Sequence, residues 1–371
     1  MNWTKRSVFA VALGVAIALS GGVGAQDIAE GKWINLFDNE SLYGWTDFGD
    51  ANWHVNDEGH LVADDGWHGF VATNAQFKDF ELEARVRFSA PGSIGLVVRG
   101  SSDGHHAENG SGVVLLQEQE DSGGWRDINI KAVGGDVTAT VDGEEYQVEG
   151  VTRDRGNVIL EYHRYFRYRS APTVEVASLR LRPLGLDSLF NGEDLSGWNI
   201  IPDRDSEFFV EDGNLRIVDG NGQIETEGVY RDFIHQIDII SHGDHLNSGV
   251  FFRGPVGQFW LGYESQIRNE WNGDDRTDPV DFGTGGIYGV RPSRNVVSSD
   301  YEWFEKTIVC HDNYMAVWLD GYLVSEFFDT RPIATNGDGK NGFVPEAGTI
   351  HLQGHDPATD LSFRDIHIQE Y

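Results

Sequence analysis

The chain has 371 residues and a formal net charge of −32, and it contains 46 Gly, 11 Trp, 12 Tyr and 21 Phe. The acidic balance makes nucleic acid and anionic membrane surfaces poor partners. At about 100–200 residues per domain the length predicts two domains, and the many glycines and aromatics with few long apolar runs favour an all-β protein.

The first 25 residues have the pattern of an export signal. Lys5 and Arg6 precede the apolar run Val8–Leu19, and small residues follow at 23–25. This order is typical of a secretory signal peptide, here cleaved before Gln26. The run is short for a membrane span, and no later stretch resembles one. We therefore expect a periplasmic or secreted protein without a membrane span.

The chain has one cysteine, Cys310, so no intrachain disulfide can form. It lies in the apolar stretch Thr307–Leu319, which we interpret as a strand. No basic neighbour is evident that would lower the pKa of the thiol. A buried structural thiol is therefore favoured over a catalytic one.

An internal repeat organises the rest of the sequence. Leu36–Trp45 and Leu189–Trp198 are identical at six of ten positions at an offset of 153. Later matches include the pairs Arg99-Gly100 with Arg253-Gly254 and Leu160–His163 with Leu352–His355. The period is too long for a solenoid, so each copy is predicted to be a domain, 26–185 and 186–371. The repeated Trp45 and Trp198 are expected to anchor each fold rather than to stack on a sugar.

Alternating segments predict antiparallel strands throughout. In Phe80–Phe88 the apolar residues face inward, and Glu81 and Glu83 are expected on a solvated face rather than as a catalytic pair. Such strands, separated by Asp-Gly turns, predict two β-sandwiches. The second copy gains roughly 38 residues, around Asn269–Tyr301 and Phe328–Gly348. Long loops of this kind usually build or cover a binding site.

The stretch Asn247–Arg268 is predicted to form two strands with an unusual polar row. Period-two alternation puts Glu264, Gln266 and Arg268 on one face of the second strand, and on the first strand it puts Phe251 and Arg253 on a shared face. A row of carboxylate, amide and guanidinium groups beside aromatics suits a polyhydroxylated ligand. The sequence therefore predicts a saccharide site here.

The second copy resembles a known family over nearly all of 189–371. The matching motifs, in chain order, are LFNGEDLSGW, NSGVFFRG, GYESQI, GGIYG, AVWLDG and GTIHLQGHDPATDLSFRDIHIQEY. They resemble the exported 3-keto-disaccharide hydrolases, also described as 3-keto-glucoside 1,2-lyases and 3-keto-2-hydroxyglucal hydratases. The resemblance implies two concanavalin-like jelly rolls, the first of them degenerate because it lacks GYESQI and GGIYG. It also implies a saccharide or glycoside substrate and a partner enzyme, a sugar 3-oxidoreductase that makes the ketone.

The chemistry of a 3-keto sugar then suggests roles for the polar residues. The ketone acidifies the hydrogen at C2, so the site needs a base, a group that stabilises the enolate, and an acid for the leaving group. Glu264 or His355 is the candidate base, and Arg253 or a metal ion the candidate enolate stabiliser. Substrate binding is assigned to Gln266, Gln353, Arg268, Trp271 and Tyr288.

Metal binding is a further hypothesis at the same place. Glu264, His351 and His355 carry donors suited to a divalent ion, and His351, Gln353 and His355 share strand parity. In the first copy Gln117 is aligned with Gln266, which puts Leu115 at the position of Glu264; a shifted alignment would use Glu118 instead.

Two other functions compete with the enzyme hypothesis. The same fold serves lectins, so a non-catalytic carbohydrate-binding protein is the alternative. A retaining glycosidase of the family-16 kind ranks last, because it needs two carboxylates about 5–5.5 Å apart and its motif Glu-x-Asp-x-x-Glu is absent from the chain.

Overall fold

The computed structural model describes residues 28–90, 92–101, 109–118, 123–164 and 173–371. The predicted signal peptide, 1–25, lies outside these residues. The chain divides into two compact units, 1–185 and 186–371. Within the described ranges there is no helix that is long and apolar enough to cross a membrane.

The described part of the first unit contains thirteen strands. They are β1 Ile34–Asn35, β2 Trp45–Gly49, β3 Asn52–Val55, β4 Leu61–Asp64, β5 His68–Phe77, β6 Phe80–Phe88, β7 Gly92–Gly100, β8 Gly112–Glu118, β9 Arg126–Val133, β10 Asp136–Val141, β11 Glu144–Gln147, β12 Gly156–His163 and β13 Val174–Pro183.

The second unit also has thirteen strands. They are β14 Asp187–Ser188, β15 Trp198–Ile200, β16 Glu207–Glu211, β17 Asn214–Val218, β18 Gly222–Thr226, β19 Phe233–Ser241, β20 Ser248–Gly254, β21 Tyr263–Ile267, β22 Phe304–His311, β23 Tyr314–Leu319, β24 Tyr322–Phe328, β25 Thr349–Gly354 and β26 Asp360–Glu370.

Each unit is a sandwich of two antiparallel sheets with the same strand order. In the first unit an eight-stranded sheet runs β11-β10-β9-β6-β13-β4-β3 with β1 paired to β13, and a five-stranded sheet runs β2-β5-β12-β7-β8. In the second unit β24-β23-β22-β19-β26-β17-β16, with β14 on β26, faces β15-β18-β25-β20-β21. The all-β jelly-roll prediction is confirmed, and the repeated strand order matches the sequence repeat.

The core of each sandwich follows from alternation along the strands. In β6 the even-numbered positions 80 to 88 are buried and Glu81 and Glu83 lie on the other face, as predicted. The indoles of Trp45 and Trp198 are buried, and their Nε1 atoms donate to the carbonyl oxygens of Leu36 and Leu189 at 2.6 and 2.8 Å. These tryptophans anchor the first strand of each five-stranded sheet.

Cys310 is fully buried on β22. The stretch Thr307–Leu319, predicted as one strand, is instead the end of β22 and the strand β23, joined at Asp312 and Asn313. Asp312 has a positive φ of 48°, a turn conformation that Asp adopts more readily than most residues.

A polar face on the five-stranded sheet of the second unit

The predicted polar row lies on β21, on the face turned away from the sandwich core. Tyr263 and Ile267 belong to the core cluster, so the alternate residues Glu264 and Gln266 point to the opposite face. Both side chains are nevertheless buried, at 4% and 0% exposure. The polar side chains are therefore held away from bulk water. Interactions between charges are stronger in this buried environment than in water.

The neighbouring strands continue this polar face across the sheet. Glu264 pairs with Phe251 on β20, Phe251 pairs with His351 on β25, and His351 pairs with Glu225 on β18. One row along, Gln266 pairs with Gly249, and Gln353 pairs with Gln223. We define the polar face as Gln223, Glu225, Glu264, Gln266, His351 and Gln353. All six side chains are at most 5% exposed.

Gly249 makes room for the Glu264 carboxyl group. A Cβ atom at Gly249 would lie 2.5 Å from Glu264 Oε1, so a side chain there would displace the carboxyl. The carboxyl therefore extends over β20, towards the row that holds Gln353.

Three amide groups of the polar face have a buried atom without a hydrogen-bond partner. These atoms are Gln223 Nε2, Gln266 Oε1 and Gln353 Oε1. A buried polar atom left unpaired costs about 1–3 kcal/mol, so such groups usually serve a ligand or an ordered water. Both donors and acceptors are present in this set, which suits sugar hydroxyl groups because each hydroxyl can donate and accept.

The loop between β20 and β21 supplies an aromatic wall. Trp260 is 39% exposed and has a positive φ of 66°, a strained conformation for a bulky residue. Its backbone nitrogen donates to Gln223 Oε1 at 2.7 Å, and its side chain hydrogen-bonds to Glu264. Strain of this kind persists where surrounding contacts impose it and is common at ligand sites.

Trp260 also gathers a histidine and a lysine beside Glu264. The His355 ring meets the Trp260 ring edge-on with centroids 6.0 Å apart, and Lys340 Nζ lies 5.1 Å from the centroid of the same ring. His355 Nδ1 is 3.0 Å from Asp356 Oδ2, which orients the imidazole. A carboxyl, an imidazole, an ammonium and an indole therefore occupy one site.

Burial decides the protonation of Glu264. Removal from water raises its pKa from 4.5 to about 8, and Asp281 adds to the rise. The ammonium groups of Lys340 and Lys306 and the hydrogen bond to Trp260 act in the opposite direction. A carboxyl with this pKa exchanges protons near neutral pH, as a general acid or base must.

Lys306 reaches the same strand from the opposite sheet. It is fully buried on β22, and its Nζ donates to the carbonyl oxygens of Ser265 and Gln266, each at 2.9 Å. Burial lowers the pKa of this amine to about 7, and the charge of Glu264 opposes that fall. The acid and the amine are thus electrostatically coupled through β21.

The inserted loop 269–301 forms a further edge of the site. Tyr288 N donates to Glu264 O, and Gln266 N donates to Gly286 O, so the loop pairs with β21. Gln266 Nε2 also donates to the backbone oxygen and to Oδ2 of Asp281, at 3.1 and 3.2 Å. Burial, followed by the charges of Asp281 and Glu264, raises the pKa of Tyr288. Tyr288 therefore lies beside Glu264.

The predicted position of Arg253 is wrong. The pairing of β20 shifts register between Phe251 and Gly254, and Arg253 has a positive φ of 51°, so period-two alternation fails there. Its guanidinium is fully buried, 3.2 Å from Asp232 Oδ1, and donates to the carbonyl oxygens of Arg231, Asp312 and Val344.

The same arrangement recurs in the first unit, where Arg99 pairs with Asp79 at 2.9 Å and also has a positive φ. Because the repeat keeps this ion pair in both units, we assign Arg253 a structural position.

The proposed metal ligands do not come together. Among the described residues, two groups of His, Cys, Asp or Glu donors lie close enough to hold an ion, and neither contains Glu264, His351 or His355. His351 is fully buried one strand beyond β20, with Nε2 2.6 Å from Thr349 Oγ1, and burial lowers its pKa to about 4. β20 lies between the strand of Glu264 and the strand of His351. The Glu264 carboxyl and the His351 imidazole are therefore not adjacent, and they contact different side chains.

The remaining predicted binding residues lie in different surroundings. Gln353 is on the polar face, as described above. Arg268 pairs with Glu270, with Nε to Oε2 at 2.7 Å. Burial raises the pKa of Asp356, but its hydrogen bond with His355 and, to a smaller degree, the charge of Arg268 lower that pKa overall. Trp271 lies against the Arg276 guanidinium at 4.1 Å, so a cation already covers one face of its ring. Arg268 is thus near the site, whereas Trp271 has an internal partner.

In the first unit most of the corresponding face is apolar, although Glu161 stands at the position of Gln353. Phe70, Ala72, Val97 and Ile159 form a cluster with Phe48 and Val113 packed against it. Val97 pairs with Val113 as Phe251 pairs with Glu264, so Val113 occupies the position of the glutamate. The sequence alignment that used Leu115 or Glu118 was wrong, because Leu115 pairs with Gly95 and therefore corresponds to Gln266.

Sequence reasoning missed Gln223 and Lys340 and gave Trp260 no preferred role. Gln223 lies on β18, and Lys340 lies in the second inserted stretch, Phe328–Gly348. Neither has a local signal, because each reaches Glu264 or Trp260 only through sheet order and loop packing. The length of the second insertion was the one available indication for Lys340.

Comparison with known proteins agrees with this architecture. A family model described as the 3-keto-alpha-glucoside-1,2-lyase-like domain matches residues 32–169 and 185–369. No curated protein matches the sequence.

Three solved structures illustrate the likeness. Two are proteins of Parabacteroides distasonis named "putative glycosyl hydrolase"; one is 24% identical with a TM-score of 0.42, covering 50% of this chain and 99% of its own. The other is 22% identical with a TM-score of 0.40, covering 49% and 92%. The carbohydrate binding module CBM66 of Bacillus subtilis is 14% identical with a TM-score of 0.29, covering 37% and 94%.

The family match spans more than half of the chain and falls once in each unit. The protein is therefore carbohydrate-active and belongs to the 3-keto-alpha-glucoside-1,2-lyase-like family, whose domain it carries in two tandem copies.

Proposed function

We propose that the second unit cleaves or hydrates 3-keto glycosides, with Glu264 as the group that moves the C2 proton. The observation that carries the proposal is a buried carboxyl with a pKa of about 8 among amide groups that have unpaired polar atoms. An acid of this pKa is deprotonated in a useful fraction of molecules near neutral pH. The amides offer the hydrogen bonds that hold a sugar ring in place.

The first step is removal of the proton at C2. The carboxylate of Glu264 takes this proton, and the electron pair of the C–H bond forms the C2–C3 double bond of an enolate. Negative charge then develops on the oxygen at C3. Lys340, which already acts on Glu264 through its charge, replaces Arg253 as the candidate that stabilises this oxygen.

The second step expels the substituent at C1. The enolate re-forms the ketone, a double bond forms between C1 and C2, and the C1–O bond breaks. His355, 6.0 Å from Trp260 by ring centroids, is the candidate that protonates the leaving oxygen. Water can then add at C1 while a proton returns to C2, which completes a net hydrolysis.

The substrate requires an earlier oxidation. A 3-keto glycoside forms when an oxidoreductase removes a hydride from C3 and the proton from the hydroxyl group at C3, so we propose that such an enzyme acts before this one. The predicted export signal would put the activity in the periplasm or outside the cell. The half-exposed Trp260 offers a ring face for stacking on the sugar. A divalent ion in this reaction stays a prediction.

The test is release of sugar from 3-keto-trehalose or 3-keto-lactose. The wild-type protein is expected to release a monosaccharide from at least one of them and nothing from the unoxidised disaccharides. Glu264→Gln should lower the rate about 100-fold or more, since general acid–base groups contribute about 10²–10⁴. Glu83→Gln, a carboxylate paired with Arg180 on the solvent face of the first unit, should keep full activity.

The lectin alternative has a distinct result. A carbohydrate-binding protein would bind sugars without releasing any product, and Glu264→Gln would leave that binding nearly unchanged. Sugar binding combined with no release from any 3-keto substrate would overturn the enzymatic proposal.

A further inference from the structure

Two histidines and a glutamate meet on the five-stranded sheet of the first unit. His68 on β5 pairs directly with His163 on β12, and Glu161 precedes His163 by two residues, so all three side chains share one face. His68 Nε2 lies 2.9 Å from Glu161 Oε1, and His163 Nε2 lies 3.3 Å from the same oxygen. The two imidazole rings have centroids 4.5 Å apart.

These distances suit a shared cation. Donor atoms from the three side chains all lie within 4.8 Å of one another. Ligands bound at about 2.0–2.2 Å around a tetrahedral ion lie roughly 3.3–3.6 Å apart, so small side-chain movements would complete the sphere. Paired strands hold His68 and His163 in register, and Asp50 Oδ1 accepts hydrogen bonds from the backbone N–H groups of Trp67 and His68, which fixes the start of β5.

The other donor group of the described residues differs in an instructive way. Glu58, His60 and Glu175 also lie within reach of one another. There, however, Arg87 Nη2 is 2.7 Å from Glu175 and 3.4 Å from Glu58, so a guanidinium already supplies the positive charge. That group is an ion-pair network, and it serves below as a control.

The cluster is also particular to the first copy. Glu161 and His163 correspond to Gln353 and His355 of the second unit, and at the sequence offset of 153 His68 corresponds to Asn221. The second unit therefore keeps one of the three donors. Glu161 takes the place of Gln353 of the polar face, so the first copy carries a different set of donors at this edge of the matching sheet.

We propose that His68, Glu161 and His163 bind a divalent transition-metal ion, with Zn²⁺ as the best match to two imidazoles and one carboxylate. The side chains of His68 and His163 are 47% and 41% exposed. Solvent therefore reaches the ion, and its remaining positions take water or an oxygen ligand such as a sugar diol. The first unit thereby has a ligand site of its own although its sheet face is otherwise apolar.

Zinc titration of the metal-free full-length chain tests the proposal. After dialysis against a chelator, we expect one Zn²⁺ per chain in competition with a chromogenic chelator, together with a higher melting temperature. His68→Ala, Glu161→Gln and His163→Ala should each weaken binding more than about 100-fold, beyond the roughly 10–100-fold cost of losing an outer-shell partner. His60→Ala and His54→Ala should leave the affinity unchanged.

A measurement on the wild-type chain removes the dependence on folded variants. Zn²⁺ is expected to protect His68 and His163 from modification by diethyl pyrocarbonate, but not His54, whose side chain is 40% exposed. Mass spectrometry measures the modification of each histidine. Absence of zinc binding at about 100-fold excess would overturn the proposal. So would binding that survives all three substitutions, or equal modification of His68 and His163 with and without zinc.

Discussion

Replacement of Glu264 by Gln tests the electrostatics of the site without any substrate. The carboxyl is 4% exposed and burial raises its pKa from 4.5 to about 8. Between these two pH values the group is protonated in the folded chain and ionised in the unfolded chain. Unfolding then releases a proton, so the free energy of unfolding falls as the pH rises through this window.

The size of the effect follows from the two pKa values of Glu264. Proton linkage with 4.5 in the unfolded state and about 8 in the folded state gives a destabilisation of about 1 kcal/mol at pH 5 and about 4 kcal/mol at pH 8. Gln has nearly the same shape and cannot ionise. The free energy of unfolding of Glu264→Gln, relative to that of the wild type, should therefore increase by about 3 kcal/mol when the pH is raised from 5 to 8.

Urea denaturation at pH 5, 6, 7 and 8 measures this difference. The transition of residues 186–371 should shift, and the exposed Glu83→Gln should show no comparable pH-dependent difference. A stability difference between Glu264→Gln and wild type that stays constant from pH 5 to 8, or that reverses in sign, would refute the assignment of a buried, proton-binding carboxyl.

Three further predictions follow from the same structure. The rate of 3-keto-glycoside cleavage should rise with pH, reach half of its plateau near pH 8 and level off above it, because the base form of Glu264 removes the proton; a rate that falls as the pH rises to 8 would contradict that role. Lys340→Met should lower kcat about 100-fold and move the pH profile to higher values, since the ammonium opposes the rise in the pKa of Glu264. Lys340→Arg, which keeps the positive charge, should retain part of the wild-type kcat and part of the wild-type pH profile. Cys310, whose pKa burial raises to about 11, should resist a thiol reagent at pH 8 in the folded chain and react as one thiol in urea; labelling of the native protein would contradict its burial.

Local periodicity was sufficient for the strands and their faces. The alternation of Phe80–Phe88 predicted which side chains are buried, and that of Tyr263–Ile267 placed Glu264 and Gln266 together. The repeated LF…GW segment predicted two similar domains, because each copy must bury its own tryptophan. These features depend on residues close in sequence, so one strand or one repeat carries all the information that they require.

The membership of the polar site depended on long-range pairing. Arg253 leaves the predicted face because a register shift interrupts β20, and Val113 rather than Leu115 stands at the position of Glu264 because pairing, not sequence spacing, sets the correspondence. Gln223 and Lys340 meet Trp260 from segments far apart in the chain. Strand order and loop packing decide such contacts, and these are properties of the whole sandwich that no single stretch of sequence contains.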